Sequence, residues 1–186
     1  MKLNYTSFLT AAVLAIAATN VRAEMLYDIY AGGSLGLGGM SMYSEEDEYN
    51  GDDWSARSYG AVLGIDLPVV RFEAEYDYLA SSKIDMQTVM GNAYVKFMGE
   101  VVANPYIGVG VGAVLDYKYD HDRFDIDTET TIAYQGMLGV TFNLPAVPLK
   151  IDLEGRLMYM PEVYEYDHEA IDAMYYDARL KLRFVF

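Results

Sequence analysis

The stretch Leu149–Tyr159, LKIDLEGRLMY, decides the fold of this chain, because its residues alternate between two chemical kinds. One parity holds Leu149, Ile151, Leu153, Gly155, Leu157 and Tyr159, and the other holds Lys150, Asp152, Glu154, Arg156 and Met158. A period of two is that of a β-strand, whose successive side chains point to opposite faces. The stretch therefore predicts a strand with one apolar face and one mostly charged face.

Seven other segments alternate in the same way. The contrast is strong in Val70–Tyr78 and in Tyr176–Phe186, and it is weaker in Leu26–Met42, Ser55–Leu67, Thr88–Phe97, Tyr106–Tyr119 and Thr130–Phe142. Segments of about ten residues have the length that a tilted strand needs to cross a bilayer. A soluble, half-buried sheet also alternates, so two further observations are needed to decide between the two environments.

The first observation is the balance of charge on the polar parity. Its acids are Asp28, Asp66, Glu73, Glu75, Asp77, Asp116, Asp152, Glu154 and Asp177, and its bases are Arg71, Lys96, Lys118, Lys150, Arg156, Arg179, Lys181 and Arg183. These nine acids and eight bases nearly cancel, although the whole chain carries a formal charge of −15. A solvated face has no need of such balance, whereas charges packed inside a narrow barrel need partners.

The second observation is the position of the aromatic residues on the apolar parity. With the strands running alternately up and down, the upper ends carry Tyr59, Tyr76, Tyr78, Tyr117, Tyr119, Tyr134, Tyr159 and Tyr176, and the lower ends carry Tyr27, Phe72, Phe97, Phe142, Phe184 and Phe186. Two aromatic girdles with an uncharged band between them are typical of strands that cross a membrane. We therefore predict an all-β fold: a closed, eight-stranded, antiparallel, up-and-down transmembrane β-barrel.

The first residues predict a secretory signal peptide. Lys2 precedes the apolar run Phe8–Ala18, and Val21-Arg22-Ala23 has the pattern of a cleavage site. We therefore expect residues 1–23 to be a signal peptide and residues 24–186 to be the barrel domain. The chain contains no cysteine, so an exported domain of this size must be stable without disulfides.

The surplus acid is concentrated in three predicted loops at one end of the barrel. Ser44–Trp54 holds six acids and no base, Asp120–Glu129 holds five acids against Arg123, and Met160–Ala173 holds five acids and no base. The connections at the other end are marked by Pro68, Gly99–Pro105 and Asn143–Pro148. Longer loops outside and shorter turns inside are typical of outer-membrane barrels. We expect these acidic loops to be extracellular.

Four phrases of the sequence resemble the opacity-protein-like family of small outer-membrane β-barrel proteins. They are PYIGVGVG (Pro105–Gly112), MGNAYVKF (Met90–Phe97), AYQGMLGV (Ala133–Val140) and RLKLRFVF (Arg179–Phe186). The resemblance extends over residues 24–186 and implies the outer membrane of a Gram-negative bacterium, with surface antigens and adhesins that share no single ligand. Phe186, preceded by Phe184, Leu182 and Leu180, is similar to the signal that the barrel-assembly machinery reads.

Three classes of function are compatible with this barrel. We expect a surface antigen, adhesin or structural envelope protein, because an eight-stranded barrel filled with charged side chains leaves function to its loops. The alternative is a small porin, in which the glycine-rich segments Leu26–Met42 and Tyr106–Tyr119 leave a water path rather than room for large neighbours such as Tyr30 and Arg156. The third class, a membrane-lipid enzyme, needs a nucleophile beside a base.

The sequence predicts no catalytic, cofactor-binding or metal site. His121 and His168 lie in acidic loops with no serine or threonine beside them, which favours solvated loop residues over a catalytic base. Asp120-x-Asp122 lacks the glycine of a calcium loop, and no helix pattern follows Gly108–Gly112 as a nucleotide site requires. The expected partners are outer-membrane lipids and lipopolysaccharide, the barrel-assembly machinery and a host ligand at the loops, with no nucleic acid.

Overall fold

The computed structural model describes residues 27–44, 54–81, 84–97, 102–119, 131–144, 147–166 and 169–186. They form one closed barrel in which each strand pairs with its neighbours in sequence and the first strand pairs with the last. The strands are β1 (Asp28–Ser44), β2 (Trp54–Asp66), β3 (Val70–Ser81), β4 (Ile84–Lys96), β5 (Ala103–Tyr119), β6 (Thr131–Asn143), β7 (Leu149–Tyr166) and β8 (Glu169–Val185). All eight pairings are antiparallel, which confirms the predicted up-and-down barrel.

The register of the pairings fixes the stagger of the barrel. A row of paired residues that starts at Asp85 on β4 passes through Ala80 on β3 and Arg57 on β2, and it returns to β4 at Val95, ten residues further along. This stagger requires tilted strands, and with eight strands it leaves an interior just wide enough to be filled by side chains. The side chains on the inner parity therefore determine whether the barrel has a pore.

The two faces of the wall follow the alternation that the sequence predicts. On β7, Asp152, Glu154 and Arg156 are buried inside the barrel, whereas Leu153 and Leu157 on the opposite parity are half exposed on its outer surface. The same alternation of buried and exposed residues runs along β3 and β6. Since large apolar side chains face outward on every strand, the exterior suits lipid rather than water.

Several predicted strand boundaries are wrong at the outer end of the barrel. The predicted loop Met160–Ala173 is mostly a hairpin, because β7 continues to Tyr166 and β8 already begins at Glu169. β4 likewise begins at Ile84, four residues before the predicted Thr88. The alternation fades beyond Met160 because the register shifts between Met160 and Tyr164, where Pro161 has no N–H to donate to the ladder. Antiparallel pairing nevertheless resumes after this irregularity.

The opposite end of the barrel carries the two ends of the described chain and the short connections. Leu67 N donates to Val70 O at 2.9 Å across the β2–β3 turn, and Phe186 N donates to Ile29 O at 2.9 Å beside the start of β1. In outer-membrane barrels this is the periplasmic end.

Several predictions lie outside the described residues. They concern the signal peptide, the acidic residues 45–53, the Asp120–Glu129 segment and the two histidines. No helix in the described part of the chain is long and apolar enough to cross a membrane.

Candidate functional site

The outer surface of the wall carries the two aromatic girdles that the sequence predicts. Tyr59, Tyr76, Tyr134, Tyr159 and Tyr176 are exposed toward the extracellular end, and Tyr27, Phe72, Phe97, Phe184 and Phe186 are exposed toward the periplasmic end. Between them lie exposed leucine, isoleucine and valine side chains such as Leu63, Val109 and Leu138. A polar lumen inside this apolar band is the arrangement of a transmembrane barrel.

Hydroxyl groups of the upper girdle are tied to polar residues on adjacent strands. Tyr76 donates to the side-chain carbonyl of Gln87 at 2.8 Å, and Tyr78 donates to a carboxylate oxygen of Asp85 at 2.8 Å. Tyr159 donates in the same way to Asp172. These bonds hold the aromatic rings at the boundary between lipid and water, where an apolar ring with a polar tip is most stable.

Inside the barrel, the predicted balance of charge becomes a network of ion pairs. The structure describes fifteen of the seventeen side chains counted on the polar parity, and each of the fifteen has an opposite charge within 4.0 Å. The side chains of Asp116 and Lys118 lie outside the description. Because almost all of these charges are buried, each one needs such a partner to avoid a desolvation cost of several kcal/mol.

At the periplasmic mouth, the ion pairs join four strands. Lys150 Nζ lies 2.9 Å from a carboxylate oxygen of Asp66 and 3.2 Å from one of Asp28. Lys96 pairs with the other oxygen of Asp66. Arg183 lies just above them and binds both oxygens of Asp152, through Nε at 2.7 Å and through Nη2 at 2.9 Å. This bidentate pairing fixes the Arg183 guanidinium across the lumen.

The centre of the lumen combines charges with tyrosine rings. The Arg71 guanidinium lies 3.9 Å from the ring centre of Tyr94 and 4.5 Å from that of Tyr106, so the two rings cover the nitrogens that make no hydrogen bond. Lys181 Nζ lies 2.6 Å from Glu73, which also accepts hydrogen bonds from Tyr30 and Tyr94. Cation–π contacts and hydroxyl donors thus compensate for charges that have few ionic partners.

Above this level, two arginines hold three carboxylates. Arg179 pairs with Glu75 and, through Nη2, with Asp77 at 3.2 Å and Asp177 at 3.0 Å. Arg156 reaches Asp77 at 2.5 Å and Asp177 at 3.3 Å. All five side chains are fully or almost fully buried. The lumen at this level is closed by side chains that span it from β3 to β7 and β8.

Among the described residues, the outer end of the lumen is apolar, which the balance of charge on the polar parity did not predict. We call this region the methionine layer; it consists of Met40, Ala56, Leu79, Met86, Met90, Val114, Ala133, Met158, Met160, Ala173 and Tyr175. Each of its five methionines is at most 1% exposed. The predicted pairing of inward charges is therefore confirmed for the described periplasmic and central lumen, while its outer end is filled by packed apolar side chains. The sequence feature that indicates this apolar region is the presence of methionines on the otherwise polar parity, such as Met158 in Leu149–Tyr159.

Glycines on the inner parity make room for large side chains. A Cβ at Gly64 would meet the Tyr30 hydroxyl, and one at Gly108 would meet the ring of Tyr94. At Gly139 it would lie 2.6 Å from the Tyr106 hydroxyl oxygen. Of these glycines only Gly108 lies in a segment predicted to leave such space, and there the prediction is confirmed for Tyr94, whereas Tyr30 is accommodated by Gly64 of β2, outside both predicted segments.

Three buried polar atoms in one row have no hydrogen-bond partner. They are Ser34 Oγ, Asp77 Oδ1 and Thr88 Oγ1. The register places Ser34 opposite Gly60, Gly60 opposite Asp77 and Asp77 opposite Thr88, so the row runs across β1 to β4. Within the described residues, no three histidine, cysteine, aspartate or glutamate side chains are grouped as a metal ion would require.

Comparison with known proteins shows the fold. No family model matches the chain, and no curated protein sequence matches it. Among solved structures, neisserial surface protein A has a TM-score of 0.65 at 15% identity, covering 85% of this chain and 97% of that protein. Outer membrane protein AlkL in lipid bilayers has a TM-score of 0.53 at 11% identity, covering 100% and 97%. The N-terminal barrel of Pseudomonas aeruginosa OprF has a TM-score of 0.50 at 13% identity, covering 83% and 97%.

The closed fold, the outer surface and the inner surface all indicate a membrane-spanning barrel. The wall is closed, its exterior is apolar between two aromatic girdles, and its interior is polar and paired. Closed barrels of this kind satisfy every backbone group of a membrane-spanning strand without a sheet edge. The chain is therefore an outer-membrane β-barrel.

Proposed function

We propose that this protein is a surface antigen, adhesin or structural envelope protein of a Gram-negative outer membrane, with a barrel that conducts no solute. The observation that carries the proposal is the filled lumen. Arg156 and Arg179 cross the barrel to buried carboxylates, and the methionine layer closes the outer end. A closed lumen leaves the extracellular segments as the part of the molecule that can meet a partner.

The sequence of the extracellular segments supports a contact function. The six acids between Ser44 and Trp54 and the five between Met160 and Ala173 are accompanied by no base. The second of these segments lies on the β7–β8 hairpin. The dense negative charge of these segments favours a basic host ligand through electrostatic steering.

Binding of purified protein to host cells and matrix proteins tests this proposal. We expect replacement of residues 45–53 by a neutral Gly/Ser segment of equal length to reduce binding strongly. The matched control replaces the short periplasmic turn Leu67–Val69, at the other end of the barrel, and should leave binding unchanged. Equal binding of wild type and loop variant, with both shown to be folded by a heat-dependent gel shift, would contradict the proposal.

A narrow pore is the second candidate, and one observation favours it. The unpartnered oxygens of Ser34, Asp77 and Thr88 form a polar row inside the wall, and water would satisfy them. Planar-bilayer recordings separate the candidates. The proposed closed barrel gives no conductance above the lipid background, whereas steady single-channel steps would establish the pore.

Two further parts of the proposal concern catalysis and assembly. We propose that the protein is not an enzyme, which an assay against membrane lipids with its matched lipid-only control would test. We also propose that the C-terminal strand is recognised by the barrel-assembly machinery. Phe184 and Phe186 stack edge to face at 5.2 Å on the exposed side of the barrel's periplasmic end, where a partner can reach them. Truncation of Phe186 should then lower the yield of assembled barrel in cells.

A further inference from the structure

The lipid-facing side of the barrel carries an exposed base at its outer rim. Arg57 lies on the outward parity of β2, one outward-facing position further toward the extracellular end than the girdle residue Tyr59. Its side chain makes no hydrogen bond or ion pair with any residue the structure describes. The outward-facing acids Asp85 and Asp172 differ, because tyrosine hydroxyls bind both of them. Among the described residues, Arg57 is therefore an exposed cation without a counter-charge at the extracellular rim of the wall.

Hydroxyl groups surround Arg57 on the same face. Ser55 and Tyr59 precede and follow it on the outward parity of β2, and both are exposed. Gly39 on β1 pairs with Ser55 on one side and with Tyr176 on the other. The Tyr176 hydroxyl oxygen lies 2.7 Å from the position that a Gly39 Cβ would take, so the missing side chain lets this hydroxyl lie over β1 toward β2. Four donor side chains therefore share one patch.

The surroundings of the patch are apolar on the side toward the membrane centre. Leu37 lies opposite Arg57 on β1 and is 69% exposed, and Leu35 and Leu180 lie below it as another exposed pair. A ligand with an anionic, hydroxyl-rich head and several acyl chains matches this arrangement, in which hydrogen-bond donors lie at the rim and exposed leucines lie toward the membrane centre. Guanidinium groups bind phosphate in a planar, two-bond geometry, and hydroxyls supply further bonds.

We propose that Arg57, with Ser55, Tyr59 and Tyr176, binds the phosphorylated glycolipid headgroup of the outer leaflet, and this inference rests on the proposed outer-membrane orientation. The net charge of −15 opposes the binding of anionic lipid, and an exposed base at the rim of the wall offsets this repulsion locally. The occupant is a lipid of the lipid A type, held by its phosphate and packed by its chains against Leu35 and Leu37.

The test uses the full-length protein refolded in detergent micelles and lipids of defined structure. Bisphosphorylated lipid A, the same lipid A without phosphate, and phosphatidylglycerol are added separately, and retained lipid is measured by native mass spectrometry. We expect wild type to retain bisphosphorylated lipid A about fivefold more than the dephosphorylated form, the preference that one membrane-surface base provides. Arg57→Gln should lose this preference, and Arg57→Lys should keep part of it.

The matched control is Lys150→Gln, which removes one positive charge at the periplasmic mouth and should retain lipid A as wild type does. Equal retention of the two lipid A forms by wild type, or an unchanged preference in Arg57→Gln, would overturn the site. Retention of phosphatidylglycerol equal to that of lipid A would overturn the glycolipid as its occupant. These outcomes are independent of the loop-replacement and conductance assays, because neither assay contains lipid A.

Discussion

The described interior of this barrel has two regions that are filled in different ways. From the periplasmic mouth to Arg156, charged side chains fill the lumen and each has an opposite charge close by. At the outer end, the methionine layer fills the same narrow space without any charge. The difference shows that a lumen of this width can be closed either by pairing or by packing. The two regions should therefore respond differently to substitution.

The largest effect is expected in the paired region. Arg179→Met removes the shorter of the two ion pairs of Glu75 and one partner each of Asp77 and Asp177, which leaves buried carboxylates undercompensated. We expect the free energy of unfolding in lipid vesicles to fall by about 3–5 kcal/mol. Urea titration followed by tryptophan fluorescence and gel shift measures it. Arg57→Met is the matched control, because this arginine is exposed and unpaired among described residues; its change should stay within about 0.5 kcal/mol.

In the methionine layer, the response should depend on volume rather than on charge. Met158→Ala leaves a cavity in a fully buried position and should cost about 2–4 kcal/mol. Met158→Leu preserves the volume and should cost less than about 1.5 kcal/mol. The same urea titration checks both. Equal losses in the two variants would show that the layer is not held by packing, and the comparison between the two regions would fail.

Glycine-to-alanine substitutions compare the stability contributions of the inner and outer faces of the wall. Gly108→Ala places a methyl group against the Tyr94 ring, which is held in turn by Arg71 and Tyr106, so we expect a loss of about 1–3 kcal/mol. Gly136→Ala adds the same methyl group on the outer surface, where nothing lies within 4 Å. Its stability should change by no more than about 0.5 kcal/mol. The thermal midpoints of the gel shift measure the stability of the two variants. A larger loss for Gly136→Ala than for Gly108→Ala would contradict this prediction.

The smallest effect is expected at the upper girdle. Tyr76→Phe removes the hydroxyl that donates to Gln87 and should lower stability by about 1 kcal/mol. Tyr134→Phe is the control, since the Tyr134 hydroxyl binds no residue in the described ranges, and it should have a smaller effect. Urea midpoints for the two variants test whether girdle hydroxyls contribute through these bonds. Identical midpoints would assign the girdle's role to the rings alone.

Much of the fold could be predicted because β-barrels encode their faces with a period of two. The stretch around Leu153 and Glu154 already separated the lipid face from the lumen, and the near balance of inward charges indicated their pairing. The end of β7 could not be predicted in the same way. Beyond Met160 the register shifts, and the pairing of Tyr166 with Glu169 depends on β8 continuing beside it rather than on any local pattern.

For the candidate site, the sequence predicted that the inward charges are paired but not which residues pair. Charge on the polar parity indicates that partners exist, but the partners of Asp152 lie at positions 71 and 183, far apart in sequence. The patch around Arg57 was missed because it brings β2 together with Tyr176 of β8 across Gly39. Which distant side chains come together depends on the register with which the barrel closes, and the sequence of a single strand does not specify that register.

By itself, the sequence determined the number of strands, the side of each that faces lipid where the pairing is regular, and the sign and balance of the buried charge. These properties follow from local alternation and composition, which act within a strand. Only the tertiary structure decided which arginine meets which carboxylate, that methionines fill the outer lumen, and that Tyr176 lies over Gly39, opposite Ser55 of β2. Those features depend on the ten-residue stagger with which the eight strands close, because closure sets the height at which distant side chains meet.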